Sequence, residues 1–589
     1  METESNREST AACPEAGPGV GTEDRVARLE FLTRVSLRLA RERDRSRFLE
    51  GVLDEAQNLC RADGGTLYLR TDADELTFVL VQNTSLGIRL GHGDGNEKVG
   101  FEPLPLFGPS GAPNLANVAT AAVHKRAMVH VEDAYSEPGF DFTGTRHFDA
   151  QTGYRSQSFL SIPLIASDGR VIGVLQLLNA KDLATGAVAS FNPLDLDAVE
   201  ALAAQAALAL ETRLLLEGQK ELLESFIRLI AAAIDSKSPY TGGHCERVPV
   251  LTEMLVRAAT AATAGPFADF QLNDEEWYEL RIAAGLHDCG KVTTPVHIMD
   301  KSAKLEGIFD GILAVRQRFE VMMRDAKIAQ LEAVARGENR EVVEAAYAKT
   351  LRELNEDMDF LERSNIGGEF LALADQERIR CIARRSFMER GVKRPCLNDD
   401  ELERLLVQRG TLTRDERLII NGHMVETVRM LEALPFPKNL ARVPEYAGAH
   451  HERMDGKGYP RGLYLGDLSL PARAMAIADV FEALTADDRP YKRAKKLSEA
   501  MRIMGQMKRD AHLDPELFDL FVTSRTYQSY AQRYLSPALI DEVNEAELLA
   551  IQPYAYELPP RHERDLRRTR FLPEYEERFP ASLRTLPRM

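Results

Sequence analysis

The sequence predicts a multidomain chain in which an α+β domain precedes an all-α domain. Three observations carry this. The 589 residues exceed what one hydrophobic core can serve. Strand-like runs are confined to the first 215 residues, and beyond Asp235 apolar residues recur at helical spacing almost throughout. Hydrophobic residues make up 44% and charged residues 28%, the balance of a folding, soluble chain.

Residues 1–24, rich in Glu, Ser, Thr, Gly and Pro without apolar periodicity, read as a disordered leader. From Val26 to Leu59 the spacing predicts two helices. Four strands follow: GTLYLR (65–70), ELTFVLVQN (75–83), FLSIPLIA (159–166) and VIGVLQLLN (171–179), the last two joined by the turn SDGR. The first domain is placed at 25–215.

A helix is predicted over 194–235, roughly 60 Å long if continuous at about 1.5 Å per residue. Its stripe of Val199, Leu202, Ala206, Leu210, Leu214, Leu223, Phe226 and Ile230 fits either a parallel homodimer or burial against its own domain. The all-α domain is placed at 236–535, with a charged helical insert over about 306–409. The Arg- and Pro-rich extension at 536–589 is expected to lie over the surface or free.

The net charge of -17 argues against a nucleic-acid polymer as the main partner and is compatible with a small anionic ligand. Six scattered cysteines without a CxxC pair fit free thiols in a reducing compartment. METESNREST lacks the features of a signal peptide, and no run of apolar residues is long enough to cross a bilayer. The expectation is a cytoplasmic protein without a membrane partner.

Histidines beside acidic neighbours stand out in the second half: His244, the pair His287 and Asp288, His423, the pair His450 and His451, and the carboxylate Asp479. Imidazole and carboxylate without cysteine favour a transition metal, with iron or manganese ahead of structural zinc. Seven donors exceed what one ion takes. Two ions about 3.5 to 4 Å apart with a bridging carboxylate would use them, a device for attacking phosphate esters. Two such pairs beside glycine-rich turns argue for a metal, because burying so many polar side chains without one is costly.

The segments YTGGHCERV (240–248), GLHDCGKV (285–292), GTLTRDERLIINGH (410–423), HHERMDGKGYP (450–460) and ARAMAIADVFEALTADDRPYK (472–492) together resemble the HD-GYP phosphohydrolases of the HD superfamily. That resemblance implies hydrolysis of cyclic di-GMP to linear pGpG and, with a second cut, GMP. It makes His244, His287, Asp288, His423, His450, His451 and Asp479 the ligands of two divalent transition metal ions, and Lys291 the group that meets the scissile phosphate. Arg247, Asp455, Gly456, Gly458, Tyr459, Pro460, Arg489, Tyr491 and Lys492 become substrate-binding residues.

Some members hold a third metal through a glutamate where this chain has Tyr240, so two metals are expected. About a hundred residues separate KSAKLEG (301–307) from RGTLTRDE (409–416), which the family joins almost directly. That insert reads as a lid, a partner surface or a peripheral decoration. Glu482 replaces the family's usual aspartate.

The first domain resembles a GAF domain, a small-molecule sensor. Asn179, Lys181, Phe191 and Asp195 are similar to the signature of cyclic-nucleotide-binding GAF domains, with Lys181 displaced by one and Leu196 in place of the final glutamate. The alternatives to a regulated phosphodiesterase are an inactive cyclic di-GMP-binding effector and an HD phosphohydrolase for another cyclic dinucleotide or nucleotide.

Overall fold

A computed structural model of the chain describes residues 33–580 apart from 36, 39–40, 43, 92–99, 238–242, 368–369 and 488–493. The chain divides into two compact units between Leu222 and Leu223. The predicted fold class, an α+β domain followed by a helical one, holds. The first of the two helices predicted before residue 60 falls largely outside the described residues.

In the first unit, helix α1 (Arg45–Cys60) starts where the Asp44 carboxylate accepts from the Arg47 amide, and it buries Phe48, Leu49, Val52, Leu53 and Ala56. The chain then runs through β1 (Ala62–Arg70), β2 (Glu75–Asn83), β3 (Ile88–Leu90), β4 (Leu104–Pro105), α2 (Val118–Lys125), β5 (Val129–Val131), α3 (Thr143–Thr152), β6 (Phe159–Ile165), β7 (Val171–Lys181) and β8 (Val188–Ala189).

The sheet order is β3-β2-β1-β7-β6-β5, with β4 on β2 and β8 on β7. Leu67 stands opposite both Leu80 and Leu175, so the two-residue period puts one apolar row beneath α1. Tyr68 and Val174, one residue out of phase, face the other way and pack with Val118, Ala119 and Ala122 of α2. The four predicted strands are all present. The four missed ones are two or three residues long, too short to carry an alternation.

Helix α4 is continuous over Pro193–Lys237. Val199, Leu202, Ala206 and Leu210 of the predicted stripe are buried in the core of the first unit. Ile227, Ala231 and Ile234 belong to the core of the second.

The second unit continues through α5 (His244–Thr260), α6 (Asp274–Leu286), a 3-10 turn at Cys289–Thr293 and α7 (Val296–Met299). The insert contributes α8 (Ile312–Ala335), α9 (Arg340–Asn365), α10 (Leu373–Ala383), β9 (Ser386–Glu389), β10 (Val392–Pro395) and α11 (Asp399–Leu405). It has its own core around Val315, Phe319, Leu361, Ile379 and Leu405. The antiparallel pair β9 and β10 corrects the all-helical expectation for this half. Arg390 and Gly391 both take positive φ (49° and 79°), the two-residue hairpin turn, and the exposed strands lack the apolar alternation that would have announced them.

Next come α12 (Arg414–Asn421), α13 (His423–Ala433), α14 (Val443–Gly448), α15 (Leu470–Thr485), α16 (Leu497–Arg509), α17 (Pro515–Thr523) and α18 (Thr526–Tyr534). Three short helices end the description: α19 (Glu545–Ala550), α20 (Arg561–Arg567) and α21 (Pro573–Arg578). The bundle core joins α5, α6, α15, α16 and α17 through Val248, Leu251, Ala283, Ile477, Phe481, Met501 and Phe518.

Candidate metal centre

Helix ends deliver most of the donors. His244 opens α5, His287 and Asp288 follow α6, and His423 opens α13. His450 and His451 lie in the turn just beyond α14, while Asp479 projects from the middle of α15.

Three imidazoles are oriented in the same way. His287, His423 and His450 place Nδ1 against the carbonyls of Ala284, Ile420 and Ala447, three residues earlier in each case, at 2.8, 2.6 and 2.8 Å. A carbonyl only accepts, so Nδ1 carries the proton and Nε2 presents a lone pair. Those three Nε2 atoms, His244 Nε2 and Asp288 Oδ1 are buried and, among the described residues, lack a hydrogen-bonding partner. Buried polar atoms are nearly always satisfied, and five orphans converging on one place fit a cation.

The donors fall into two groups around Asp288. His244, His287 and Asp479 have ligand atoms within 4.8 Å of one another, and so do His423, His450 and His451. Asp288 Oδ2 lies 3.3 Å from His244 Nε2 and 3.2 Å from His287 Nε2, facing the first group. Its Oδ1 lies 3.4 Å from His423 Nε2 and 4.0 Å from His450 Nε2, facing the second. The one carboxylate is shared between both.

The Lys291 ammonium sits 2.5 Å from Asp288 Oδ2. Burial opposes its charge, and Asp288 and Asp479 more than offset that, raising it above the ordinary lysine value. Burial likewise works against the Asp288 carboxylate, but Lys291, His287 and His244 hold it well below the usual range. Burial, with His287 nearby, lowers His450 to about 4, which keeps its imidazole neutral as a ligand must be.

Glu482, by sequence a modest substitution, supports the site. Its Oε2 meets His244 Nδ1, and its Oε1 accepts from Arg247 Nε at 2.7 Å. Arg247, expected to bind substrate, is thus paired with Glu482. The available signal was spacing, since Glu482 lies one helical turn beyond Asp479 and shares its face.

The loop after the histidine pair is held from within. Glu452 is fully buried and accepts from the amides of Arg461, Gly462 and Leu463 at 2.7, 3.2 and 2.9 Å. Gly458 passes so near this backbone that an added Cβ would lie 2.3 Å from Arg453 N. Asp455 pairs with Arg453 at 3.2 Å and Lys457 at 3.3 Å, and Gly456 follows it in the turn. The Tyr459 ring, before cis-Pro460, stacks on His451 with centroids 4.9 Å apart and planes 18° from parallel. Arg489, Tyr491 and Lys492, like Tyr240, lie outside the described residues.

In the first unit, the four signature residues are engaged around the end of β7. Asn179 accepts from the amides of Gln157 and Ser158 and donates to the Tyr154 hydroxyl and the Arg155 carbonyl. Lys181 pairs with buried Asp63, and Asp195 accepts from Arg61 at 3.1 Å. Phe191 belongs to the apolar core.

Residues 44–210 match the family described as GAF domain, and residues 400–517 the family described as HD domain. The chain is 42% identical over 130 residues to 3'3'-cGAMP-specific phosphodiesterase 1 of Vibrio cholerae, covering 22% of this chain and 29% of the relative. It is 27% identical over 296 residues to 3'3'-cGAMP-specific phosphodiesterase 3 of the same organism, covering 50% of this chain and 38% of the relative. To a cyclic di-GMP phosphodiesterase of Pseudomonas aeruginosa it is 40% identical over 118 residues, covering 20% and 27%. The chain therefore spans well under half the length of each of these relatives. Among the described residues no helix is long and apolar enough to cross a membrane.

Proposed function

We propose that this chain, which carries an HD domain of the HD-GYP kind behind a GAF domain, is a metal-dependent phosphodiesterase that opens the ring of cyclic di-GMP. The observation that carries the reading is Asp288, whose two oxygens face two separate groups of buried, lone-pair-bearing donors. The donors fit two divalent ions: His244, His287 and Asp479 for one, His423, His450 and His451 for the other, with Asp288 between. Imidazole and carboxylate without thiolate favour iron or manganese. Such a pair would supply an activated water at neutral pH and offset charge on the phosphoryl oxygens.

The chain's own residues do the rest. Lys291, charged and partly exposed beside Asp288, is proposed to meet a phosphate oxygen or the departing 3′-oxygen. Water adds to phosphorus, the bond to the 3′-oxygen breaks, and that oxygen ends protonated. One such step yields pGpG and a second yields GMP. The loop from Asp455 to Pro460 and Arg247 border the site, and Arg489, Tyr491 and Lys492 are proposed to meet the nucleotide.

A second substrate, 3'3'-cGAMP, is favoured by the names of two of the relatives. An effector that only binds would have no use for the intact donor set. The GAF domain is proposed to bind a small molecule that regulates hydrolysis, with Asn179, Lys181, Phe191 and Asp195 shaping that domain. A parallel homodimer is proposed through α4, where Leu208, Leu215, Leu222 and Leu229 recur every seventh residue and are 57 to 64% exposed.

The test is to load the protein with iron or manganese and offer cyclic di-GMP, 3'3'-cGAMP and cyclic di-AMP, beside His287→Ala and Asp288→Ala. We expect turnover of a guanine-containing dinucleotide, lost by at least about a hundredfold in both variants. Binding without turnover in the loaded wild-type protein would overturn the enzyme reading.

A further inference from the structure

The chain from Arg561 to Phe579 is not a free tail. It lies along the histidine-bearing loop and the start of α13, tied by backbone and side chain alike. The Leu572 amide donates to the Pro460 carbonyl at 2.9 Å, and Arg567 Nη1 donates to the Gly462 carbonyl at 2.8 Å. Arg564 and Arg568 both reach Asp467 at 3.0 Å. Arg429, on α13, donates to the Phe579 carbonyl.

At the centre of this strap Tyr575 is 2% exposed. Its ring lies 6.3 Å from that of Tyr459, which is itself stacked on His451. Its hydroxyl end faces the Asn421 side chain, two residues before His423. Phe579, packed beside Tyr575 at 6.4 Å, closes on Gly422 so tightly that an added Cβ there would lie 2.4 Å from the ring. The strap therefore touches what supports His451, through Tyr459, and what supports His423, through Asn421 and Gly422. The contacts named here all fall on the side of His423, His450 and His451, none on His244, His287 or Asp479.

We propose that Tyr575 is a positioning residue for one of the two metal ions: the C-terminal strap braces the Tyr459–His451 stack and the first turn of α13, and so sets the geometry of the His423, His450 and His451 group. This rests on the two-ion reading above. Residues that orient ligands from behind typically govern metal affinity by 10- to 100-fold. An active site assembled from both ends of the domain would also explain why a short, charged, Arg-rich segment is so heavily anchored.

The experiment is direct titration of metal-free full-length protein with manganese, read by calorimetry and by metal content, for wild type, Tyr575→Ala, Tyr575→Leu and Tyr575→Phe. Wild type and Tyr575→Phe are expected to bind two ions alike. Tyr575→Ala and Tyr575→Leu are expected to keep one ion at wild-type affinity and bind the other about 10- to 100-fold more weakly. Wild-type affinity for both ions in Tyr575→Leu, which keeps an apolar side chain but removes the ring, would overturn the ring's positioning role, as would an equal loss in Tyr575→Phe. Should Tyr575→Ala fail to fold, the Leu and Phe variants decide. A wild-type protein that binds two ions but hydrolyses no dinucleotide would sink the activity and leave this inference standing. Binding of a single ion by wild type would remove the premise of both.

Discussion

His287, His423 and His450 share one local device, an Nδ1 proton given to the carbonyl three residues back, and His244 reaches the same end by a different route. Its Nδ1 meets a carboxylate, Glu482, that is itself paired with Arg247. Removing that carboxylate takes away the group that orients the His244 ring from behind and breaks the pair with the half-buried Arg247. On the proposed two-ion reading, Glu482→Ala is expected to weaken binding of an ion at His244, His287 and Asp479 by about 10- to 100-fold while sparing the other group, the mirror image of the Tyr575 variants. Manganese titration reads this directly, and unchanged affinity would show the contact to be incidental. The candidate donors were legible in the sequence because rare residue types stood next to one another or to a carboxylate. Glu482 was not, since one more acidic residue on a helix is commonplace, and Tyr575 was not, since only folding brings residue 575 to residue 459.

The elements were legible where their period was long enough to register. The strands of nine and eleven residues, β2 and β7, and the 45-residue α4 carry clear two- and 3.6-residue repeats. The hairpin in the insert does not, because its strands are four residues each and only Phe387 packs against the insert core, too little to carry an alternation. Within α4 the sequence mixes two stripes: one, from Val199 to Leu210, is buried in its own domain, and the other, Leu208, Leu215, Leu222 and Leu229, is exposed. Leucine every seventh residue on a solvated face supplies one of the two apolar positions of a coiled-coil heptad, and burying such a side chain is worth about 1.5 to 3 kcal/mol. Leu215→Asp combined with Leu222→Asp places charge in that seam and is expected to convert a dimer to a monomer. Light scattering on the eluting peak measures this, and an unaltered mass would exclude α4 as the interface.

At the scale of the whole molecule, the two units hold separate cores, one built on the sheet and one on the bundle, with α4 contributing to each through different residues. Separate cores predict separate unfolding transitions in calorimetry, each answering to its own perturbation. The proposed metal site lies in the bundle, so manganese at about a hundred times its dissociation constant is expected to add about 2.7 kcal/mol to one transition and to leave the other where it was. The sheet domain has its own lever in Asp63. Burial raises that carboxyl, but Lys181, Tyr154 and Ser85 outweigh it and hold it below its ordinary value. A carboxyl lowered on folding stabilises above its unfolded value of about 4, and the contribution drains away as pH falls through the lower folded value. Asp63→Asn should therefore lower the metal-independent transition by about 1.5 to 3 kcal/mol near neutral pH, with the gap to wild type closing below about pH 4. If instead manganese and Asp63→Asn moved the same transition, the two units would unfold as one, and a signal bound in the first could reach Asp288 through a shared cooperative core.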